Sequence, residues 1–288
     1  VNHGVVRRSD LRTFHFSQFQ ASGLAEAKGT TTISVCLPAR NEQDTVGRIV
    51  SALREALVEQ VPLIDELIVV DDRSTDATAD VAAASGATVI DAATAVPGFD
   101  DGPGKGAALW SSLYGSKGDL VIWCDADIVN FGVHFVTGLV GPLLADPELA
   151  FVKGFYQRPG GEGGGGGGRV TELVARPVLA LLFPELQVFD QPLSGEYGGR
   201  RSALEQMPFV KGYGVEIALL IDLARAVGLG AMAQVDLGAR IHRNRPTYKL
   251  AAQATEVMQS ALRRAAPDLV ADAALLERLE HAAEAISY

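Results

Sequence analysis

The chain is expected to fold as a mainly parallel α/β sheet flanked by helices, with a less regular second half and a helical C-terminal extension. Three observations lead there. From residue 31 onward, short apolar β-rich runs alternate with helical patterns, the mark of βαβ units. Three of those runs close in polar groups, as PARNE, DDRSTD and DAD, and ligands of such sheets gather at the carboxyl ends of the strands. The 288 residues, 48% apolar and 21% charged, suffice for one large domain or two small ones around a substantial core.

Taken in order, residues 1–30 are a lead-in whose LRTFHFSQFQASGLAEAKG is expected to form a partial helix packed outside the main domain. TISVCLPAR is the first strand of the alternation, and DTVGRIVSALREAL sets Val46, Ile49, Val50, Leu53 and Leu57 on one helical face. DELIVVDD reads as a strand. STDATADVAAASG reads as a helix, with Ser74 or Thr75 as cap and Gly86 as stop. ATVID is a strand, GKGAALWSSLYGS a helix begun through glycine, and DLVIWCDADI a strand. Further on, LAFVKGFYQR is a strand that leads into the loop PGGEGGGGGG. The consecutive glycines 163–168 are not expected to hold one conformation without a ligand. A helix near RVTELVARPVLALL, the amphipathic helix GVEIALLIDLARAVG, the strand AMAQVDLGAR and the basic loop IHRNRP follow, and the chain is helical by pattern from residue 247 to 288.

Acids outnumber Lys plus Arg by 35 to 25, for a net charge of −10. That excludes a general nucleic-acid binder, which needs a basic surface to displace counterions, but leaves room for a local basic pocket that takes a phosphorylated small molecule. Cys36 and Cys124 lie inside apolar runs and are expected as buried free thiols. No uncharged apolar run is long enough to span a bilayer. The polar start, with Arg7, Arg8, Asp10 and Arg12, does not read as a signal peptide. A cytoplasmic protein without membrane or nucleic-acid partners is expected.

VIWCDADIVN, residues 121–130, carries the chemistry. Asp125 and Asp127 are two residues apart, so on a regular strand both face one side. There they repel unless a cation or hydrogen-bond donors stand between them. A hard divalent ion shared with substrate phosphates would answer that need, although an isolated D-x-D more often caps a loop or a helix. DDRSTD adds Asp71, Asp72 and the Ser74 hydroxyl at a neighbouring strand end, as ligands for a sugar or base or simply as a helix cap. PGKGAALW sets Lys105 between glycines at a helix start, where an ammonium beside exposed amides suits a phosphate. The spacing is not that of a P-loop.

PARNEQDTVG, DDRSTD, GPGKGAALW and DADI, in that order, resemble the nucleotide-sugar half of GT-A-fold glycosyltransferases. FVKGFYQRP, GGGRVTELVARPVLA, PELQVFDQPLSGEY, GYGVEIALLID and AQVDLGARIHRNRP look more narrowly like the glucosyl-3-phosphoglycerate synthases of actinobacteria, over about residues 31–250. The resemblance implies a GT-A-type sheet divided into a nucleotide-sugar-binding subdomain (31–158), an acceptor-binding subdomain (159–246) and a C-terminal helical extension (247–288). It implies a homodimeric retaining enzyme that uses Mg²⁺ or Mn²⁺ to move glucose from an NDP-sugar, chiefly UDP-glucose, to the 2-hydroxyl of 3-phosphoglycerate.

Residue by residue, the resemblance implies that Pro38, Ala39, Arg40 and Glu42 cradle uridine with Ser74. Lys105 reaches toward sugar and diphosphate, and Asp125 with Ala126 holds the ribose or the ion's hydration shell. Asp127 and His242 bind the ion, whose charge offsets that of the departing diphosphate. Leu193, Gly195, Tyr213, Glu216 and Arg240 orient glucose. Gly168, Arg169, Thr171 and Asn244 take the acceptor, Arg169 through paired N–H groups. Glu216 is read as an acceptor of sugar hydrogen bonds rather than a nucleophile, with attack on the face the leaving group departs from. The chain departs from the family pattern at Arg40 and at the glycines and Glu162 before GGGRVTE. The alternatives are a related transferase using GDP-mannose or another phosphorylated acceptor, a sugar nucleotidyltransferase, and a non-enzymatic carbohydrate-binding protein.

Overall fold

The structure is a computed structural model and describes residues 11–96, 104–158, 168–241 and 247–266. An eight-stranded sheet runs through it in the order β1-β8-β6-β7-β5-β2-β3-β4. The strands are β1 (Arg12–His15), β2 (Ile33–Ala39), β3 (Glu66–Asp71), β4 (Thr88–Asp91), β5 (Leu120–Trp123), β6 (Phe151–Gln157), β7 (Tyr197–Arg200) and β8 (Met232–Ala239). Every pairing is parallel except the two made by β7, which runs against β5 and β6. The mainly parallel sheet flanked by helices is thus borne out. One edge gathers the carboxyl ends of all the parallel strands and the start of β7.

Alternation along the strands sends side chains to two cores. Val35, Leu37, Val69, Ile122 and Val152 face one layer, built on α1 (Ala21–Lys28), α2 (Val46–Arg54), α3 (Thr78–Ala84) and α5 (His134–Ala145). Cys36, Ile68, Val70, Trp123 and Tyr197 face the other, built on α4 (Lys105–Gly115), α6 (Arg176–Leu182), α8 (Val215–Val227) and α9 (Thr247–Ala265). A four-residue helix, α7 (Arg201–Leu204), follows β7. A π-helical turn, Thr171–Ala175, runs directly into α6. The face read for α2 is the one that packs: Val46, Ile49, Val50, Leu53 and Leu57 have no solvent exposure. Cys36 and Cys124 are free and buried, and burial pushes the Cys36 thiol up to about 12.

The described part of the lead-in, from residue 11, does not pack outside the main domain. Strand β1 pairs residue for residue with β8, Arg12 to Ala233 through His15 to Asp236, and Leu24 of α1 joins the core beneath α5. An unpaired β8 edge needs a neighbour, and the short RTFH segment supplies one.

The chain steps outward from β2 to β3 and β4, then returns to the other side of β2 as β5. This reversal opens a crevice above the carboxyl ends of β2 and β5, the usual ligand position in an open α/β sheet. Arg40 and Asp125 flank it.

Candidate active site

Two interlocked loops form the left wall of the crevice. After β2 the Asn41 amide donates to the Ser74 hydroxyl (3.0 Å), and the Asn41 side chain accepts from the Thr75 amide (2.8 Å). The Glu42 amide donates to the Thr78 hydroxyl at 2.8 Å. Asn41 and Arg73 both have φ near +57, at 58 and 56, the strained conformation that tight loop tips at binding sites adopt. Pro38, Ala39, Arg40, Glu42 and Ser74 therefore share one wall. Arg40 is the exposed member, its guanidinium 3.8 Å from the buried Asp72 carboxylate.

The floor is a network of charge. Strand β5 ends at Trp123, so Asp125 and Asp127 lie just beyond it, yet both face one cation. The Arg240 guanidinium, 4% exposed, donates through one nitrogen to Asp125 (2.9 Å) and Asp127 (2.6 Å). Its other terminal nitrogen lies 3.0 Å from the Glu196 carboxylate and 2.6 Å from the Tyr156 hydroxyl. The Lys105 ammonium sits on the second side of Asp125, at 2.7 Å, and 2.7 Å from Glu216 in the first turn of α8. The repulsion that the D-x-D spacing predicts is relieved by the chain's own Arg240 and Lys105.

These contacts set the charge states. Burial pushes the Asp125 carboxyl up, but Lys105 and Arg240 outweigh it and hold the group below the usual carboxylate range. Burial lowers the Lys105 ammonium, yet Asp125 and Glu216 more than reverse this, so Lys105 stays charged. Glu196 has no solvent exposure. Burial raises its carboxyl above the ordinary value even against Arg240.

The glycines around Lys105 also serve packing. A Cβ on Gly106 would run into the Val210 carbonyl, and one on Gly104 into Lys211. The Gly104 amide donates to Asp72 (2.9 Å) and that of Ala107 to the Lys211 carbonyl (3.0 Å). Lys105 offers its side chain, while the backbone beside it binds segment 210–212 and thereby sets Tyr213 and Glu216. The Tyr213 amide is in turn fixed by Glu256 of α9.

Gly195 is the residue just before Glu196 and β7. A Cβ there would strike the Asp125 carboxylate, so only glycine lets the backbone close on that group. Leu193 is half-buried against the α8 layer. Ala126 points its methyl into the opposite core. Gly168, Arg169 and Thr171 begin the helical segment leading to α6. Arg169 is exposed and Thr171 buried. The Arg158 guanidinium lies beside Gly168 and donates to the Tyr156 hydroxyl (3.2 Å), the group that also meets Arg240. Arg158 and Tyr156 thus lie between the segment carrying Arg169 and the charged floor. His242 and Asn244 lie outside the described residues, as does most of the glycine run.

Sequence reasoning missed Glu196, Tyr156, Arg158 and Lys153. Glu196 and Lys153 carry a usable signal, a charge within otherwise uncharged or apolar stretches (SGEYGG and FVKGFY). Such a group is costly to bury without a partner.

Asp127 offers a hard oxygen donor, 20% exposed at its side chain, which suits Mg²⁺ or Mn²⁺. Among the described residues no group of three or more His, Cys, Asp and Glu side chains could hold an ion alone. Asp127 alone among them therefore offers a partial site, which fits an ion that takes its remaining donors from elsewhere.

The model of glycosyl transferase family 2 matches residues 34–172, the span from β2 to the π-helical turn. The glucosyl-3-phosphoglycerate synthase of Petrotoga mobilis is 45% identical over 260 residues, 88% of this chain and 80% of that protein. The chain belongs to the glucosyl-3-phosphoglycerate synthase family. Among solved structures, the glucosyl-3-phosphoglycerate synthase of Mycobacterium tuberculosis in complex with Mn²⁺, UDP-glucose and phosphoglyceric acid superposes with a TM-score of 0.82. It is 48% identical, with 88% of this chain and 87% of that one covered. A mannosyl-3-phosphoglycerate synthase of Rubrobacter xylanophilus gives a TM-score of 0.83 at 44% identity, covering 88% and 80%. The likeness extends well beyond the family-2 span, through β7, α8 and β8. Membership makes this chain a glycosyltransferase, with the crevice between β2 and β5 as its candidate active site. No described helix is long and apolar enough to cross a membrane.

Proposed function

We propose that the chain transfers glucose from UDP-glucose to the 2-hydroxyl of 3-phosphoglycerate with retention of configuration, in the cytoplasm and as a homodimer. The observation that carries this reading is the floor itself: Asp125 and Asp127 at the switch point of the sheet, flanked by Lys105 and Arg240 at 2.6–2.9 Å. A crevice with that pattern suits a diphosphate and a sugar together. The relatives named for this reaction support the substrate pair.

Uridine lies along the Pro38–Glu42 wall with Ser74, and its diphosphate passes over Lys105. Asp127 and His242 hold Mg²⁺ or Mn²⁺, which when bound supplies charge to offset the departing diphosphate. Lys105 adds a permanent positive charge at the same place, already oriented by Asp125 and Glu216. Arg240 and Glu216 border the sugar, with Gly195 allowing the backbone a close approach. Arg169, Gly168 and Asn244 receive the acceptor's phosphate and carboxylate, and Arg158 adds a cation on that side.

A carboxylate nucleophile would have to present an oxygen to the sugar's anomeric carbon. Glu216 is 5% exposed and ion-paired to Lys105, and Glu196 is fully buried against Arg240. These placements support attack by the acceptor hydroxyl on the face the diphosphate leaves, with the leaving phosphate taking the proton.

The test is incubation with 3-phosphoglycerate, Mn²⁺ and either UDP-glucose or GDP-mannose. UDP release, a glucosylated phosphoglycerate with an α-anomeric proton, and loss of both in Asp127→Ala are expected. Turnover with GDP-mannose alone would transfer the reading to the mannosyl relatives. No nucleotide release from either donor would reject it. Light scattering of the purified chain checks the dimer.

A further inference from the structure

A polar row crosses the sheet beneath the charged floor. Thr13, Gln234, Lys153, Tyr197 and Trp123 are successive register partners on β1, β8, β6, β7 and β5, and they face the α8 layer together with Phe151. The row grips the segment that leads into β7. Gln234 accepts from the Asp190 amide (2.9 Å) and donates to the Asp190 carboxylate (2.8 Å). Lys153 donates from its ammonium to the Ser194 carbonyl at 3.0 Å and stands 4.3 Å from the centre of the Tyr197 ring.

Lys153 is 2% exposed, and among the described residues no carboxylate stands within ion-pair distance of it. An ammonium in that setting gives up most of its hydration, and leucine or methionine would fill the space without that cost. What the cation does gain is a hold on the peptide between Ser194 and Gly195, the one whose close approach to Asp125 requires glycine. The next residue, Glu196, is pinned to the same strand by the Gly154 amide (2.8 Å).

We propose that Lys153 is a positioning residue for the donor site, whose buried ammonium sets the Ser194–Gly195 peptide against Asp125 and places a positive charge below the carboxylates that receive the nucleotide sugar. The proposal rests on the donor reading given above. The charged and titratable groups facing Lys153 are Glu216 on α8, Lys105 on α4, Asp125 after β5, and Glu196 and Tyr197 at the start of β7. Burial pulls the Lys153 ammonium down to about 7, with Glu216 working against it and Lys105 with it. It is therefore charged below neutrality and loses its proton as the pH rises through that value. The two phosphates of UDP-glucose do not titrate in this range. His242, as an ion ligand, gains affinity for the ion as the pH rises, opposite in sign to the Lys153 step. The Lys153 contribution is therefore read as the ratio of wild-type to Lys153→Met affinity.

The experiment is calorimetric titration of the full chain with UDP-glucose and Mn²⁺ between about pH 6 and pH 9. Relative to Lys153→Met, wild type is expected to lose about tenfold in affinity as the pH passes neutrality. Lys153→Met should bind about tenfold more weakly at the acid end, with a cooperative melt attesting its fold. ¹⁵N NMR of the lysine ammonium in wild type should show it titrating near neutrality, and higher once UDP-glucose is bound, as linkage requires. A ratio of wild-type to Lys153→Met affinity that is flat with pH would overturn the proposal. If the variant does not fold, an ammonium that titrates at the ordinary lysine value in wild type does the same. A wild type that binds no UDP-glucose at any pH would instead sink the donor reading, and the NMR titration without ligand still decides the state of Lys153.

Discussion

Arg240→Met tests the electrostatic account most severely, because one side chain neutralises three carboxylates. Asp125 keeps Lys105 after the substitution, and Asp127 is partly exposed. Glu196 keeps nothing of the kind: it has no solvent exposure, and Arg240 is its ion-pair partner at 3.0 Å. Removing one member of a buried pair costs about 3–5 kcal/mol. For a chain of this length that is a fall in Tm on the order of 10 °C.

The loss carries a pH signature. Burial already holds the Glu196 carboxyl above its unfolded value, and deleting the cation lifts it further. A group whose folded pKa is raised contributes its stability below the unfolded pKa and loses it as the pH climbs through the folded one. The deficit of Arg240→Met relative to wild type should therefore be largest near pH 8 and shrink toward pH 5. Adding Glu196→Gln should recover part of it at the higher pH. Urea unfolding at both values measures this. A deficit below about 1 kcal/mol near pH 8, a deficit that does not shrink toward pH 5, or no recovery in the double variant, would refute the reasoning.

Four further outcomes follow from the structure. Lys105→Met should reduce kcat by about 100-fold or more, measured as UDP release. Because Asp125 and Glu216 keep the Lys105 ammonium charged well above its usual pKa, wild-type turnover should show no alkaline loss from this group through about pH 9. Gly106→Ala should lower stability by about 1–3 kcal/mol and raise the donor KM, since its Cβ displaces the Val210 carbonyl and with it the loop carrying Tyr213. Native protein should react only slowly with a disulfide reagent, because both thiols are buried and that of Cys36 sits near 12. Unfolding in urea should release both.

Much of the first half was legible because its strands are apolar runs bounded by turn residues and its helices show a clear apolar face. Strand β7 was not. YGGR has no apolar run, and its glycines matter because Ile122 on one side and the Ala150 carbonyl on the other leave no room for a Cβ. The strand exists through its neighbours rather than through any propensity of its own. Helix α5 escaped for the opposite reason. HFVTGLVGPLLA is buried on nearly every side, so no polar face marks its period. Strand β1 is a short edge whose alternation of half-buried and exposed residues becomes meaningful only against β8.

The site divides in the same way. Asp125, Asp127, Lys105, Glu216 and Arg240 were named from motif order, and the fold brings them within hydrogen-bonding reach of one another. What motif order could not show is that Arg240 and Lys105 already neutralise the carboxylate pair, or that Glu196, Tyr156 and Lys153 form a second layer below. Those relations come from strand register, since a lysine on β6 meets a carbonyl before β7 only because the two strands are neighbours. The glycines flanking Lys105 carry a double signal: the residues that suit a phosphate loop also suit close packing of two backbones, and the sequence alone does not show the second use.

The account depends on a divalent ion meeting Asp127 and the nucleotide's diphosphate in the crevice above β2 and β5. Anomalous scattering at the manganese edge, from crystals grown with Mn²⁺ and UDP-glucose, tests this directly. A peak about 2.2 Å from an Asp127 oxygen, shared with the diphosphate and the His242 imidazole, is the expected result. Nucleotide bound away from Lys105, or manganese bound without Asp127, would contradict it.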